Sequence, residues 1–457
     1  MKKQCKRILS SILVCAMLGS AVSIAAQAQD VTPHSASEWG LPSMHITADN
    51  HPFHMPRTQW HDGMVAVTGF SEDGDFDFVD VRLRGRGNST WYQDWALEKR
   101  PLRLRFEAEP RSMFGSEYIA RDWILLADAR DPTLLRNYSA FDFTRRMGTN
   151  MQYVPMAQQF HLYINGEYKG VYLLTDERDV NDGRMDLTFN EDPALSDFFL
   201  EFCVRVPNEG GTEGDHFVMV NGKPYDIRFP TSGSQRRAHA QHLQDFLYEV
   251  SEAIRYGCWC RVEHLIDLDS FVDFYLVMEL FHNKSINYSS TFMYITDKGN
   301  GQQLFMGPIW DFDHVYDGTP WHLVLSPPFP QHSSGNYWFR NLLAMPEFRA
   351  AVRTRWNQLM VDGIPQATVA RVRYLADTYS EDFARNFERQ TFFDNHQRSV
   401  RHYTRWLDMR ICALNRHFNA RTPSLHTRWP NTQLNWFFAW VRYALVLGWL
   451  WMDMGAP

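Results

Sequence analysis

The stretch FMGPIWDFDHVYD, Phe305 to Asp317, sets Asp311, Asp313 and Asp317 directly behind an apolar and aromatic run. The run reads as a buried strand. Carboxylates at its end either cap a turn or hold a hard cation against something else negative. A second charge signal lies upstream, where Val79, Val81 and Leu83 alternate with Asp80, Arg82 and Arg84. Leu102, Leu104 and Phe106 alternate in the same way with Arg103 and Arg105. Period two marks half-buried strands, so each strand carries arginines on its polar face. Like charges on neighbouring strands repel unless anions lie between them. The anions are either carboxylates such as Asp80, Glu98 or Glu107, or the oxygens of a bound phosphate. Gly85, Gly87 and Asn88 either let backbone amides approach a phosphate or form a tight turn.

The elements that would position these groups follow from patterning. Trp39 to Phe106 is mostly strand-like. Asp131 suits a helix N-cap, with Pro132 at the first helical position and Gly148 as C-cap behind Arg145 and Arg146. HLYINGEYKGVYLLTDE, from His161, predicts a hairpin turning at Asn165-Gly166. DFFLEF and YDIRFP read as further short strands, and beyond about Gln235 the pattern becomes helical. Asp267 to Asn283 predicts a helix capped by Asp269 or Ser270, apolar around nearly its whole circumference and therefore central and buried. It leads into the polar loop HNKSINYS, then a hairpin, STFMYIT and QQLFMGPIW around DKGNG, which delivers the aspartates. Glu347 to Arg421 is mostly helical. Asp273 and Glu279 lie on the buried helix, and Trp91, Trp123 and Trp310 read as core.

The 457-residue chain has 26 glycines and a formal charge of −7. It opens with Lys2, Lys3, Lys6 and Arg7, an apolar stretch from Ile8 to Ala26, and Ala26-Gln27-Ala28, the pattern of a secretory signal peptide. Removing those four cations takes the formal charge from −7 to −11, which argues against nucleic-acid binding. Cys203, Cys258, Cys260 and Cys412 would then enter an export compartment, periplasmic, cell-surface or secreted. Cys258 and Cys260 are too close in sequence to bridge comfortably, and the pairing of the four is open. Trp436 to Met452 is charged only at Arg442. As a helix it would span about 26 Å, just short of a bilayer core, so 436–452 reads as a buried terminal helix, a membrane-edge anchor or a span. The expected organisation is a signal peptide at 1–28, a strand-rich segment at 29–77, a main domain at 78–421 and a hydrophobic aromatic segment at 422–457.

RGRGNSTW (Arg84 to Trp91), KRPLRLRF (Lys99 to Phe106), DWILLADARDPTLLRN (Asp122 to Asn137), GVYLLTDE (Gly170 to Glu177), SSTFMY and MGPIWDFD together resemble the CotH kinase family, whose motifs occur in this order. The resemblance implies an α+β, atypical protein-kinase-like fold with a strand-rich N-terminal part and a mostly helical C-terminal part. It implies ATP- and metal-dependent phosphorylation of proteins outside the cytoplasm. Asp311 would be the ligand of Mg²⁺ or Mn²⁺, with Asp313 the second candidate. Arg84, Arg86, Asn88, Arg103 and Arg105 would face the nucleotide phosphates, with Arg105 where the family usually has a lysine.

This sequence departs from the family on chemistry. Active members carry Asn-x-Asp after the buried helix, whereas the matching residues here are Asn283-Lys284-Ser285, and a serine cannot act as the carboxylate base. Ser290 stands where kinase logic places a metal-binding Asn. Arg228 replaces a common lysine, and Cys203 an acid. The competing expectation is a noncatalytic pseudokinase or cell-envelope interaction protein. A carbohydrate-associated surface protein is a third reading, from aromatic richness and export.

Overall fold

The computed structural model describes residues 40–419 other than 71–73, 93–98, 114–115, 117, 179, 181–183, 232–235, 284–285, 287, 314–336 and 389–394. The segment 1–28 expected as a signal peptide, Ser285, His314, Asp317 and the 436–452 segment therefore lie outside the described residues. Among the described residues, no helix is long and apolar enough to cross a membrane.

Alternation builds a closed barrel first. Its strands are β1 (Ser43–Thr47), β2 (His61–Thr68), β3 (Phe76–Gly85), β4 (Leu102–Phe106), β5 (Asp122–Leu126), β6 (Gln158–Ile164) and β7 (Glu167–Asp176). The order around the barrel is β1-β2-β3-β4-β5-β7-β6, closed by a parallel β1–β6 pair while every other pairing is antiparallel. Val81, Leu83, Leu102, Leu104 and Phe106 fill the interior. Arg82, Arg84, Arg103 and Arg105 take the other face, as period two requires. The β6–β7 turn is at Asn165-Gly166, both at positive φ, 51° and 79°, the backbone that Asn-Gly supplies in a tight hairpin.

Strands β5 and β7 serve two cores at once. Trp123, Leu125, Tyr172 and Leu174 face the barrel interior. Ile124, Leu126, Val171 and Leu173 join the larger core beyond it. That core covers a second sheet of β8 (Phe198–Phe202), β9 (Phe217–Val220), β10 (Lys223–Phe229), β11 (Thr291–Asp297) and β12 (Gln302–Met306), ordered β12-β11-β8-β10-β9 and antiparallel throughout.

The helices are a single turn α1 (Ser89–Tyr92), α2 (Arg136–Arg146), α3 (Arg236–Tyr256), α4 (Trp259–Leu265), α5 (Leu268–Phe281), α6 (Tyr337–Leu342), α7 (Pro346–Val361), α8 (Ile364–Thr378), α9 (Ser380–Glu388) and α10 (His396–Asn419). Helix α5 is buried at every position from Ser270 to Phe281, as an all-round apolar helix must be. Its cap is Asp267, one position ahead of the helix, whose side chain accepts from Ser270 N at 2.7 Å; the expected Asp269 and Ser270 lie inside the first turn. The fold is thus mixed α+β, with sheets concentrated in the N-terminal half and helices in the C-terminal half.

Two local expectations need correction. Helix α2 starts at Arg136, not beside Asp131, because Asp131 first folds a turn on itself. Its Oδ1 accepts from Thr133 N and Oγ1 at 2.8 and 2.7 Å, and its Oδ2 from Leu135 N and Arg136 N at 2.9 and 2.8 Å. It still serves the amides at the helix start, from further upstream. The strand before the aspartates is shorter than the apolar run suggests: β12 ends at Met306, and Gly307, at φ 117°, turns the chain out of the sheet. A side chain at Gly307 would meet Met151 at 2.9 Å, so only glycine turns here without displacing the core.

Candidate functional site

The segment after that turn is held by two asparagines. Asn283, just beyond the end of α5, donates from Nδ2 to Trp310 O at 3.3 Å and Asp311 O at 3.0 Å. Asn137, in the first turn of α2, accepts from Phe312 N at 2.8 Å and donates to Asp128 Oδ1 at 2.7 Å. Arg136 adds a bond from Nη1 to Asp313 O at 3.0 Å while its Nε lies 3.2 Å from Asp131. The backbone that carries the two aspartates is therefore gripped from two helices. Asp311 takes φ 70°, a left-handed conformation that these bonds help to hold.

These groups meet at a cavity of about 430 Å³. Its wall brings together Arg86, Gly87 and Asn88 from the end of β3, Asp128 and Arg130 from the end of β5, Arg178 after β7, Glu201 of β8, Arg228 of β10, Ser289 and Ser290 before β11, and Trp310, Asp311 and Asp313. Of the expected residues, Arg86, Asn88, Asp311 and Asp313 share this wall. Arg84, Arg103 and Arg105 lie outside it.

Among these outer arginines, Arg103 and Arg105 are paired with carboxylates of the protein. Asp122 of β5 pairs with Arg103 at 3.0 Å and Arg105 at 2.8 Å, and Arg103 also reaches Glu177 at 3.3 Å. Arg84 and Arg105 stack over Trp60, 4.8 and 4.7 Å from its ring. Salt bridging through Asp122 thus accounts for Arg103 and Arg105, Arg82 of β3 pairs with Glu107 at 3.8 Å, and Arg84 rests on Trp60. Asp273 and Glu279 are also committed to ion pairs, with Arg355 at 2.8 Å and with Arg410.

Cations and carboxylates share this cavity. Arg178 stacks on Trp310 at 4.1 Å and Arg86 on the same ring at 5.5 Å, so the buried indole carries both cations. Burial, then the neighbouring Arg178, lowers Arg86 to about 10 despite Glu177 and Asp311. Burial works to raise Glu177, but Arg178, Arg103 and Arg86 outweigh it and bring that carboxyl down to about 2. Burial, then Asp311 and Asp128, raises Asp313 well above the usual carboxylate range. Burial pushes Asp128, on the wall, up to about 7 and Lys99, which lies off it, down to about 7. Lys99 Nζ donates to Asn386 Oδ1 at 3.0 Å.

Sequence reasoning missed Asp128, Arg130, Arg178, Glu201 and Arg205 as wall residues. Asp128 and Arg130 were visible inside DWILLADARDPTLLRN, and Arg178 directly follows GVYLLTDE. Glu201 and Arg205 carry no local signal, because they arrive through the second sheet. The positions that depart from the family are placed as follows. Ser290 lines the cavity, at φ 59°, and donates its N–H to Glu201 at 3.0 Å. Arg228 ion-pairs with Glu201, and Cys203 is buried nearby in sequence.

The family model described as CotH kinase protein matches residues 82–414, most of the chain. The chain belongs to the CotH kinase family. Among curated proteins no match is found. The match begins inside β3 and ends inside α10, so it spans every cavity residue named above.

The family implies a metal and ATP, and the carboxylate pair fits a metal. Asp311 and Asp313 press negative charge into a buried wall, where a divalent cation would relieve it. Among the described residues no three His, Cys, Asp or Glu side chains form a metal cage. Mg²⁺ needs no such cage, since it takes one or two carboxylates and completes its shell with water and phosphate oxygens.

Proposed function

We propose that this CotH family protein binds ATP with Mg²⁺ or Mn²⁺ in the 430 Å³ cavity. Asp311 and Asp313 would hold the metal, and Arg86, Arg178 and Asn88 would face the phosphates. The observation that carries this reading is the pairing of two crowded carboxylates with a cluster of cations on one cavity wall, the charge pattern that a metal–phosphate complex satisfies. Phosphoryl transfer to a protein outside the cytoplasm is the activity that the family supports, and the N-terminal pattern supports export.

The second reading, a pseudokinase or envelope interaction protein that keeps the cleft without the chemistry, is favoured by Asn283-Lys284-Ser285 where active relatives carry a carboxylate. Thermal unfolding with ATP and Mg²⁺ or Mn²⁺ tests binding. A ligand at 100 times its Kd adds about 2.7 kcal/mol of stability, and Asp311→Ala is expected to abolish that shift. No shift in the wild type would overturn the reading. Radiolabel transfer then separates enzyme from scaffold: binding without transfer, with transfer gained by Ser285→Asp, identifies a decayed kinase.

A further inference from the structure

The corner between α3 and α4 brings two thiols together in a way that sequence spacing argues against. Residues two apart on a regular helix do not face each other. Cys258, however, stands one residue ahead of α4 at φ −85° and ψ 86°. That backbone is close to an inverse γ-turn, and Gly257 before it, at φ 70°, breaks α3. The turn swings the Cys258 side chain over Cys260, and their Sγ atoms stand 3.2 Å apart. The expectation that these two are too close in sequence to bridge comfortably overlooks this non-helical step.

The corner is firmly held. Cys258 N donates to Ala253 O at 3.1 Å, and Val262 N donates to Cys258 O at 3.0 Å. Trp259 packs against the main core between the two cysteines, and Val262 is buried. The two sulfurs differ in access: Cys260 is exposed and Cys258 is half-buried. An exposed thiol with a second thiol in contact behind it has the layout of an attacking and a resolving cysteine.

We propose that Cys258 and Cys260 form a dithiol site that exchanges with small-molecule disulfides and closes to an intramolecular Cys258–Cys260 disulfide. The Cys260 thiolate attacks one sulfur of the oxidant, the oxidant's S–S bond breaks, and the first thiolate leaves. The Cys258 thiolate then attacks Cys260 Sγ in the mixed disulfide and expels the second. Two protein thiols lose two protons and two electrons, and one disulfide oxidant becomes two thiols. The closed loop is so short that little chain entropy is gained, so the bond is not a structural staple. Its exposure places it with the labile, exchangeable disulfides. The Cys260 thiol is pushed up by its hydrogen bond to Cys258 and by the charge of that sulfur, so exchange quickens as pH rises.

The test uses the full chain, reduced, desalted and incubated with oxidised glutathione at mildly alkaline pH, then quenched with an alkylating agent under denaturing conditions and digested with trypsin. The peptide Tyr256–Arg261 is expected unalkylated and about 2 Da lighter than its dithiol form, the mass of the two hydrogens lost on closure. Cys258→Ser is expected to stop at the glutathione mixed disulfide on Cys260, with an unchanged melting temperature showing that the fold is intact. The proposal is overturned if both cysteines remain alkylated, if wild type retains glutathione on Cys260, or if either cysteine is found bridged to Cys203 or Cys412.

Discussion

Glu177 is the residue on which the cation cluster depends. It is nearly fully buried, and Arg86, Arg103 and Arg178 surround it. Glu177→Gln leaves these cations without their shared anion and is expected to cost about 3 kcal/mol at neutral pH, read by urea unfolding. The pH dependence has a definite sign. The folded carboxyl titrates near 2 and the unfolded one near 4.5, so the stabilisation is complete above pH 4.5 and is lost as pH falls toward 2. In Glu177→Gln the unfolding free energy should lose that part of its acid slope; an unchanged slope would assign it elsewhere. Asn137 is the second such residue, since one amide grips both Asp128 and the backbone of Phe312. Asn137→Leu is expected to cost about 2 kcal/mol and to remove any ATP–metal thermal shift, because the Asp311–Asp313 segment loses a fixed point. Asp311, Asp313, Arg86 and Asn88 were legible in the sequence, as charged or polar groups at the ends of patterned runs. The partners of Arg103 and Arg105 were not. Asp122 stands opposite Arg105 only through the β4–β5 register, which is a product of folding and not of local spacing.

At the scale of elements, periodicity carried most of the fold. It marked the alternating barrel strands, the Asn-Gly hairpin and the all-apolar α5. Where it failed, side-chain hydrogen bonds had outweighed it, as when Asp131 used its carboxylate to shape a turn before α2. The buried helix also hides a charge that no pattern explains: Glu279, fully buried, meets Arg410 of α10, which donates to its carboxylate and, at 2.9 Å, to its backbone carbonyl. A single truncation strands a buried charge. Arg410→Met is expected to destabilise by about 3 to 5 kcal/mol, and adding Glu279→Met should recover most of that loss, because a buried ion pair gains little over well-packed apolar groups. Denaturant midpoints of the two single variants and the double decide it. Additive losses would mean that each charge has another essential partner.

On the scale of the whole molecule, α9 ties the helical part to the barrel. Asp382 accepts from Leu41 N at 2.9 Å and bonds His161 Nε2 of β6 at 2.7 Å. One turn on, Asn386 accepts from Val171 N of β7 at 2.9 Å and from Lys99 Nζ at 3.0 Å. All four partners are buried, and Lys99 is 1 % exposed, so none can turn to water if α9 lets go. This makes barrel and helices expected to open together, although sequence patterning treats them as successive strand-rich and helical regions. In wild type, native-state amide exchange at rising urea should bring peptides from β6, β7, α9 and α10 to one common opening free energy. Asn386→Leu removes the acceptor of a buried amide and a buried amine, a loss of about 2 to 4 kcal/mol. Because that loss falls on the joint, the α9 and α10 peptides should open at lower urea than β6 and β7 in the variant. If all four still open together, the coupling runs instead through the shared wall of β5 and β7, whose alternate residues feed both cores.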